Sequence, residues 1–157
     1  MNNNSNLKND YIDSNGKIIY ENLIKTAIDA RKKSYCKYSG FAVGAALLTE
    51  EGEVFKGCNI ENIAFGPSIC AERVAFFKSL SIEEEINYKY KAIAVVGGKK
   101  DDLKLDYCPP CGVCRQVMSE FCKDDFEIIL ARIDGEKVLE YKVYLLKDLL
   151  PLSFDKL

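Results

Sequence analysis

The sequence predicts an α/β domain built on a single mixed β-sheet with helices packed against it. Segments with helical spacing of apolar residues alternate along the chain with extended segments. The run 92–96 contains only apolar residues, which is typical of a central strand buried on both faces. Asp134 and Gly135 form a tight-turn signal, so the two extended segments around them should pair in antiparallel fashion near the C-terminus.

Hydrophobic periodicity gives the individual elements. Helices are predicted over three segments, namely 20–33, 70–80 and 111–122. Strands are predicted over five segments bounded by turn signals, namely 41–49, 53–58, 92–96, 127–133 and 137–144. The sheet should therefore contain about five strands. The helix 70–80 is apolar nearly all round, so it needs burial on more than one side, and a subunit interface is a natural second cover.

The length of 157 residues fits one domain. Residues 1–17 are rich in Asn, Asp, Ser and Lys, so we expect a mobile polar N-terminal arm followed by a domain over 18–157. A net charge of −2, with both signs interspersed, gives no electrostatic reason to expect binding to nucleic acid or an anionic membrane. The chain has neither a membrane-spanning run nor the apolar core of a secretion signal, which predicts a cytoplasmic protein.

Cysteine and histidine usage indicates metal chemistry. The chain has seven cysteines and no histidine. An odd number with one C-x-x-C pair, without a secretion signal, favours thiols and metal over a disulfide framework. Because histidine is absent, acid–base chemistry near neutral pH must depend on a carboxylate, a cysteine, a lysine or a metal-bound water.

Cys70, Cys111 and Cys114 are the candidate ligands of one zinc ion. Each lies at the start of a predicted helix, where the helix dipole and free N–H groups favour the thiolate. Three protein ligands leave one position open, as in catalytic zinc sites. The alternatives are three ordinary buried thiols, a redox pair, or a closed structural site with Cys58 or Cys108 as fourth ligand.

Glu72 follows the first candidate ligand by two residues and should lie beside the open metal position. Zinc brings the pKa of bound water to roughly 7, so a neighbouring carboxylate can pass a proton to a ring nitrogen and then to a leaving amine. A solvated acid at a helix start is the simpler alternative. Arg73 and Arg115 are candidates to hydrogen-bond the sulfurs and offset their negative charge, or they are surface cations.

Four further residues are candidates for substrate contact. Asn59 and Glu61 point to the same side if the chain is still extended there, and they could bind sugar hydroxyls or simply form a turn. Phe41 and Phe154 could stack on a flat heterocycle, but either could equally belong to the core.

With these residues in view, the chain resembles the small, three-cysteine, homotetrameric cytidine deaminases. The resemblance covers most of residues 20–155 and consists of motifs within 38–47, 57–62, 69–73, 110–117 and 149–154. Among them are the Cys-Ala-Glu-Arg and Pro-Cys-Gly-Val-Cys-Arg sequences, and zinc deaminases combine such ligands with a glutamate that does not bind the metal. Two departures are mild, since many relatives have proline at Ala42 and another residue at Cys108.

The resemblance implies a three-layer α/β/α fold and hydrolysis of cytidine and 2′-deoxycytidine to uridine and 2′-deoxyuridine plus ammonia. It implies that the three cysteines hold one Zn²⁺ per subunit and that Glu72 transfers protons. It also implies a homotetramer whose neighbouring subunits complete each active site. The implied substrate contacts are Phe41, Asn59, Glu61, the backbone of Ala71 and, from a neighbouring subunit, Phe154.

Other functions are compatible with parts of this pattern. A deaminase of a nucleoside-like antibiotic, of the blasticidin-S type, would share the zinc site, but Asn59, Glu61 and Phe154 favour a nucleoside. A nucleic-acid deaminase should have a basic channel, whereas this chain is slightly acidic. A non-catalytic zinc-stabilised binding module would require an idle Glu72 and a filled fourth metal position.

Overall fold

A computed structural model of the chain describes residues 10–82 and 89–154. Its helices are α1 Tyr20–Arg31, α2 Ala71–Leu80, α3 Gly112–Phe121 and α4 Leu146–Leu149. Its strands are β1 Phe41–Thr49, β2 Val54–Cys58, β3 Tyr90–Lys99, β4 Lys104–Leu105, β5 Glu127–Asp134 and β6 Lys137–Leu145. None of the described helices is long and apolar enough to cross a membrane.

The described strands form one mixed sheet. β1 pairs in antiparallel fashion with both β2 and β3, and β3 pairs in parallel with β5. β6 runs antiparallel to β5 along its whole length, which confirms the predicted C-terminal strand pair. The two-residue strand β4, which the sequence did not predict, pairs only with the end of β5, so the sheet has five long strands and one short one over the described ranges.

Helices cover both faces of the sheet, which confirms the expected three-layer arrangement. In β1, Ala45 and Leu47 belong to the core beneath α2 and α3. Ala46 and Leu48 alternate with them and belong to the core beneath α1. The run 92–96 in β3 is at most 1 % exposed, as expected for a strand covered on both sides.

Arg31, the last residue of α1, holds two strand ends together. Its guanidinium donates to the carbonyl oxygen of Ala42 at 3.1 Å and to that of Lys99 at 2.6 Å. Ala42 lies at the start of β1 and Lys99 at the end of β3, so these bonds join two neighbouring strands at one end of the sheet. The pocket beside the metal ligands includes Phe41 at this same end of β1.

Part of the predicted N-terminal arm is folded against the domain. Residues 1–9 lie outside the described residues. Residues 10–17 form a turn in which the carboxylate of Asp13 accepts hydrogen bonds from backbone amides. Tyr11 and Ile12 pack against the core beneath α1, so their apolar side chains hold this part of the predicted arm on the domain.

Gly57 allows β2 to approach the start of α2 very closely. A Cβ atom at this position would lie 2.1 Å from the carbonyl oxygen of Ala71 and 2.6 Å from the amide nitrogen of Ala75. Both neighbours are backbone atoms of α2, so they cannot move aside as a flexible side chain would. Because Gly57 has no side chain, β2 and the residues after it can lie this close to the first turn of α2.

We expect Gly57→Ala to lower the free energy of unfolding by about 1–3 kcal/mol or more, because α2 must shift away from β2. Denaturant titration followed by circular dichroism measures this change. Gly66→Ala is the matched control, because its Cβ would meet nothing within 4 Å, and it should stay within about 0.5 kcal/mol of wild type. Equal stability of the two variants would contradict the close approach.

Candidate metal centre and adjoining pocket

The sulfur atoms of Cys70, Cys111 and Cys114 form a compact cluster, all within 4.8 Å of one another. The Cys70–Cys111 sulfur distance is 3.8 Å, and the Cys111–Cys114 sulfur distance is 3.6 Å. Zinc–sulfur bonds of about 2.3 Å in tetrahedral geometry separate the sulfurs by about 3.8 Å. The three thiols therefore have the spacing and the chemistry of a zinc site.

Two helix starts converge to form this cluster. Cys70 is extended and directly precedes α2, and Cys111 is extended and directly precedes α3. The C-x-x-C spacing then brings Cys114 back over the first turn of α3. Unpaired N–H groups and the positive ends of both helix dipoles lie near the sulfurs, which stabilises their negative charge.

Cys108, a candidate for a fourth ligand, lies outside the cluster of described metal-binding side chains. Its sulfur packs against Gly97, where a Cβ atom would lie only 2.6 Å away. Burial raises the pKa of the Cys108 thiol to about 11. Cys58, at the end of β2, is also absent from the cluster. The closed four-cysteine alternative is therefore not formed.

Arg73 contacts the cluster as predicted. Its Nη2 donates to the sulfur of Cys70 at 3.4 Å. Hydrogen bonds to Cys70, first from the Cys114 thiol and also from Arg73, lower the pKa of Cys70 to about 5. These hydrogen bonds favour the thiolate form of Cys70, and Arg73 offsets part of the negative charge that three thiolates would place around a divalent ion.

Arg115 does not reach the sulfurs, contrary to the prediction. Its Nε donates to the carbonyl oxygen of Pro110 at 2.8 Å, and its Nη1 donates to that of Leu149 at 2.9 Å. Pro110 directly precedes the C-x-x-C pair, and Leu149 ends α4. Through these two hydrogen bonds, Arg115 attaches the residue before the C-x-x-C pair to the end of α4.

Glu72 is a buried carboxyl group beside the metal ligands. It is only 4 % exposed, although it lies in the first turn of α2, where a solvated acid would be ordinary. Burial is the main cause that raises its pKa, and the Cys114 thiol is within hydrogen-bond reach of the carboxylate. A buried carboxyl with a raised pKa exchanges protons more readily near neutral pH than an exposed one does.

An open pocket of about 350 Å³ adjoins the cluster. It brings together Phe41, Asn59, Glu61 and Glu72 with Cys70 and Cys111. Its volume lies within the range of small-molecule sites, about 300–1,000 Å³. A larger depression of about 620 Å³ lies between segments 34–40 and 99–102 and contains none of the three metal-binding cysteines. The smaller pocket is the candidate site because the reactive groups line it.

Asn59 extends the pairing of β1 with β2 through its side chain. Its Oδ1 accepts a hydrogen bond from the amide of Val43 at 2.8 Å, and its Nδ2 donates to the carbonyl oxygen of Phe41 at 2.8 Å. The amide group thereby fixes the start of β1, which includes Phe41. Asn59 also lines the pocket, and its Nδ2 has a second N–H that can donate a hydrogen bond.

Glu61 is held by the segment before β1. Its Oε2 accepts hydrogen bonds from the backbone amides of Tyr38 at 2.8 Å and Ser39 at 3.2 Å. Its Oε1 is hydrogen-bonded to the hydroxyl of Ser39. These bonds from Ser39 and Tyr38 also lower the pKa of Glu61. The sequence analysis did not identify Ser39 as a site residue, because no short-range pattern connects it with Glu61, 22 residues further along the chain.

The remaining predicted contact residues differ in their surroundings. Phe41 lines the pocket and is 42 % exposed. Ala71 is fully buried as the first residue of α2, directly after Cys70. Phe154 is 70 % exposed and does not line the pocket of its own chain, although its carbonyl oxygen accepts a hydrogen bond from Gln116 on α3.

Comparison with known families identifies this type of site. A sequence model of the cytidine and deoxycytidylate deaminase zinc-binding region matches residues 18–129. The chain belongs to this deaminase family. The zinc cofactor predicted from the three cysteines is confirmed by this membership and by the sulfur cluster.

Relatives within the deaminase family are similar over most of the chain. A cytidine deaminase from Halalkalibacterium halodurans is 47 % identical over 73 % of this chain and 80 % of its own length. A blasticidin-S deaminase from Bacillus cereus is 26 % identical over 73 % of this chain and 77 % of its own length. Sequence similarity is therefore much greater to the cytidine deaminase than to the antibiotic deaminase.

Solved structures of family members have the same fold. A crystal structure of cytidine deaminase from Burkholderia pseudomallei has a TM-score of 0.72 and 43 % identity, covering 84 % of this chain and 96 % of that one. That of the Mycobacterium tuberculosis enzyme has a TM-score of 0.71 and 31 % identity, covering 89 % and 100 %. The expected deaminase-like α/β fold is therefore confirmed.

We expect Cys111→Ser to lower the zinc content of the purified protein from about one ion per chain to near zero, because two thiolates bind zinc weakly. Cys108→Ser should keep its zinc, because its sulfur lies outside the cluster. Mass spectrometry of metal after dialysis measures both, and circular dichroism verifies folding. Zinc loss from the Cys108 variant would instead support a closed site.

Proposed function

We propose that this chain catalyses the zinc-dependent hydrolytic deamination of cytidine and 2′-deoxycytidine, giving uridine or 2′-deoxyuridine and ammonia. The main support is the single pocket in which a three-thiol cluster meets the buried carboxyl group of Glu72, in a member of the deaminase family. A relative at 47 % identity is named a cytidine deaminase. Water is the second substrate, so atoms balance without any other reactant.

Cys70, Cys111 and Cys114 would hold the zinc ion in this proposal. A bound zinc ion supplies a Lewis acid that activates water for attack on C4 of the pyrimidine. Arg73 lowers the negative charge of the thiolates through its bond to Cys70, which keeps the ion electrophilic. Arg115 contributes indirectly, because it holds the loop that bears Cys111 and Cys114.

Glu72 would transfer the protons of the reaction. It would take one proton from the attacking water and deliver it to N3 of the base, and then take the second proton from the new hydroxyl group at C4 and deliver it to the leaving amino group, so that both water protons are accounted for. Its low exposure keeps bulk water away from this transfer, and its place two residues after Cys70 keeps it at the reacting end of the pocket. Histidine, the commonest general base, is absent from the chain.

The other pocket residues would bind the nucleoside. The free N–H of Asn59 and the carboxylate of Glu61 would meet the 3′-hydroxyl side of the sugar. Phe41 would pack on the base, and the backbone of Ala71 would contact the pyrimidine. This distribution puts the sugar beside Asn59 and Glu61 and the reacting carbon of the base beside Glu72 and the metal ligands.

A homotetramer with shared active sites would complete this arrangement. Several large apolar side chains are exposed in the single chain: Ile63 at 78 %, Phe65 at 83 % and Phe77, on α2, at 43 %. Exposed apolar groups of this size favour an interface. Phe154, which is 70 % exposed, would then close the pocket of a neighbouring subunit. A cytoplasmic location fits the seven free cysteines, because thiols persist in a reducing compartment.

The non-catalytic alternative requires features that the described residues lack. A closed zinc site would need a fourth protein ligand, and the cluster has three. An idle Glu72 would be expected at the surface, whereas this one is buried in the pocket wall. An antibiotic substrate is also less well supported, since the blasticidin-S deaminase is the more distant relative.

We expect Glu72→Gln to lower the turnover of cytidine by about 10²–10⁴-fold, because an amide of the same shape cannot transfer protons. Zinc content and assembly mass should stay unchanged. Loss of absorbance as cytidine becomes uridine measures the rate, and Glu53→Gln, an exposed glutamate, is the matched control. Turnover near that of wild type would remove Glu72 from the mechanism.

We expect the solution mass to be near four times the 17.7 kDa of one chain. Phe154→Ala should preserve that mass but raise the KM for cytidine by about three- to tenfold, the value of one aromatic contact. Leu152→Ala is the control, because Leu152 is 92 % exposed on the same tail. Light scattering and steady-state kinetics provide the two measurements, and an unchanged KM in Phe154→Ala would argue against shared active sites.

A further inference from the structure

Ser39 connects two residues that face the pocket from different segments. Its hydroxyl is hydrogen-bonded to Oε1 of Glu61 and also accepts a hydrogen bond from the backbone amide of Phe41 at 3.0 Å. Glu61 follows β2, whereas Phe41 begins β1. Ser39 itself lines the same pocket. One small side chain therefore links the two segments in the wall of the pocket.

The direction of these hydrogen bonds follows from the donors available. The Phe41 amide can only donate, so the Ser39 oxygen accepts from it. An ionised carboxylate can only accept, so the single hydroxyl proton of Ser39 goes to Glu61. The result is a directed chain from the Phe41 N–H through the Ser39 O–H to the Glu61 carboxylate. Hydrogen bonds in such a chain strengthen one another by polarisation.

We propose that Ser39 is a positioning residue for sugar recognition, which orients the Glu61 carboxylate and the Phe41 backbone together. The inference rests on the proposed function, because it assigns the sugar of a nucleoside to Glu61. Two backbone amides hold Oε2, and the Ser39 hydroxyl holds Oε1, so the carboxylate cannot rotate freely. Oε2 already accepts two hydrogen bonds, whereas Oε1 keeps a lone pair that can accept a bond from a sugar hydroxyl.

The lowered pKa of Glu61 agrees with this role. The hydrogen bond from Ser39 is its largest cause, followed by the backbone bond from Tyr38. The carboxylate therefore stays ionised and remains an acceptor. An alanine at position 39 would leave Oε1 without this donor and would free the Phe41 amide. The carboxylate would then be held only through Oε2 and could turn about that attachment, so the sugar would have to select one orientation on binding.

The test compares Ser39→Ala with wild type. We expect the KM for cytidine to rise about tenfold, the effect of one hydrogen bond to a charged group. The kcat should change by less than about threefold, because Ser39 contacts neither Glu72 nor the cysteines. Ser39→Thr keeps the hydroxyl and should restore most of the affinity. Ser34→Ala is the matched control, because its hydroxyl lies in the same segment but bonds to Val43.

A second substrate separates positioning from general damage to the fold. 2′,3′-Dideoxycytidine lacks the 3′-hydroxyl, so Ser39→Ala should raise its KM far less than that of cytidine. Glu61→Gln and Ser39→Ala should also be non-additive in the double variant, because they disturb one interaction. Equal penalties on both nucleosides, or fully additive effects, would overturn the positioning role.

The failure of this inference is distinguishable from that of the proposed function. A wild-type protein without cytidine turnover would remove the proposed function. Hydrogen exchange of segment 35–43, followed by mass spectrometry, tests the hydrogen-bond chain without activity. Exchange should be faster in Ser39→Ala than in wild type and Ser34→Ala. Unchanged exchange, or unchanged KM in an active enzyme, would contradict the role of Ser39.

Discussion

The site depends on the close approach of three sulfur atoms that come from the starts of two different helices. Their separations of 3.6 and 3.8 Å match one tetrahedral ion, and thiolates so close would repel each other without compensation. Compensation comes from the dipoles of α2 and α3, from Arg73 and from the zinc ion. The remainder of the fold must therefore bring the starts of both helices together at the same end of the sheet.

Rigid contacts between elements meet this requirement. Gly57 lets β2 touch the first turn of α2, and Arg31 holds the start of β1 beside the end of β3. Alternating apolar residues in the strands anchor α1 on one face and α2 with α3 on the other. The metal ligands thus lie at the starts of helices fixed by a two-sided core. In contrast, Glu61 is held by hydrogen bonds from the segment before β1, and Asn59 by hydrogen bonds with β1 itself.

Long elements were predictable because their residues repeat a pattern many times. The predicted strand 41–49 agrees with β1, and the predicted helix 70–80 differs from α2 by one residue. β4 and α4 were missed, since two residues or a single turn are too short for a periodic signal. β4 exists because it can pair with the end of β5, which is a tertiary contact. The packing of Tyr11 on α1 is also a tertiary contact, which a local sequence pattern does not indicate.

The sequence by itself indicated Cys70, Cys111 and Cys114 as zinc ligands with Glu72 beside them, because their spacing puts them at helix starts, and it indicated the order of the long helices and strands through hydrophobic periodicity. Only the tertiary structure decided that Arg115 binds carbonyl oxygens, that Cys108 stays outside the cluster and that Ser39 holds Glu61. These outcomes join residues far apart in the sequence. Their partners depend on where the folded backbone brings each side chain, and a short-range sequence pattern cannot predict these positions.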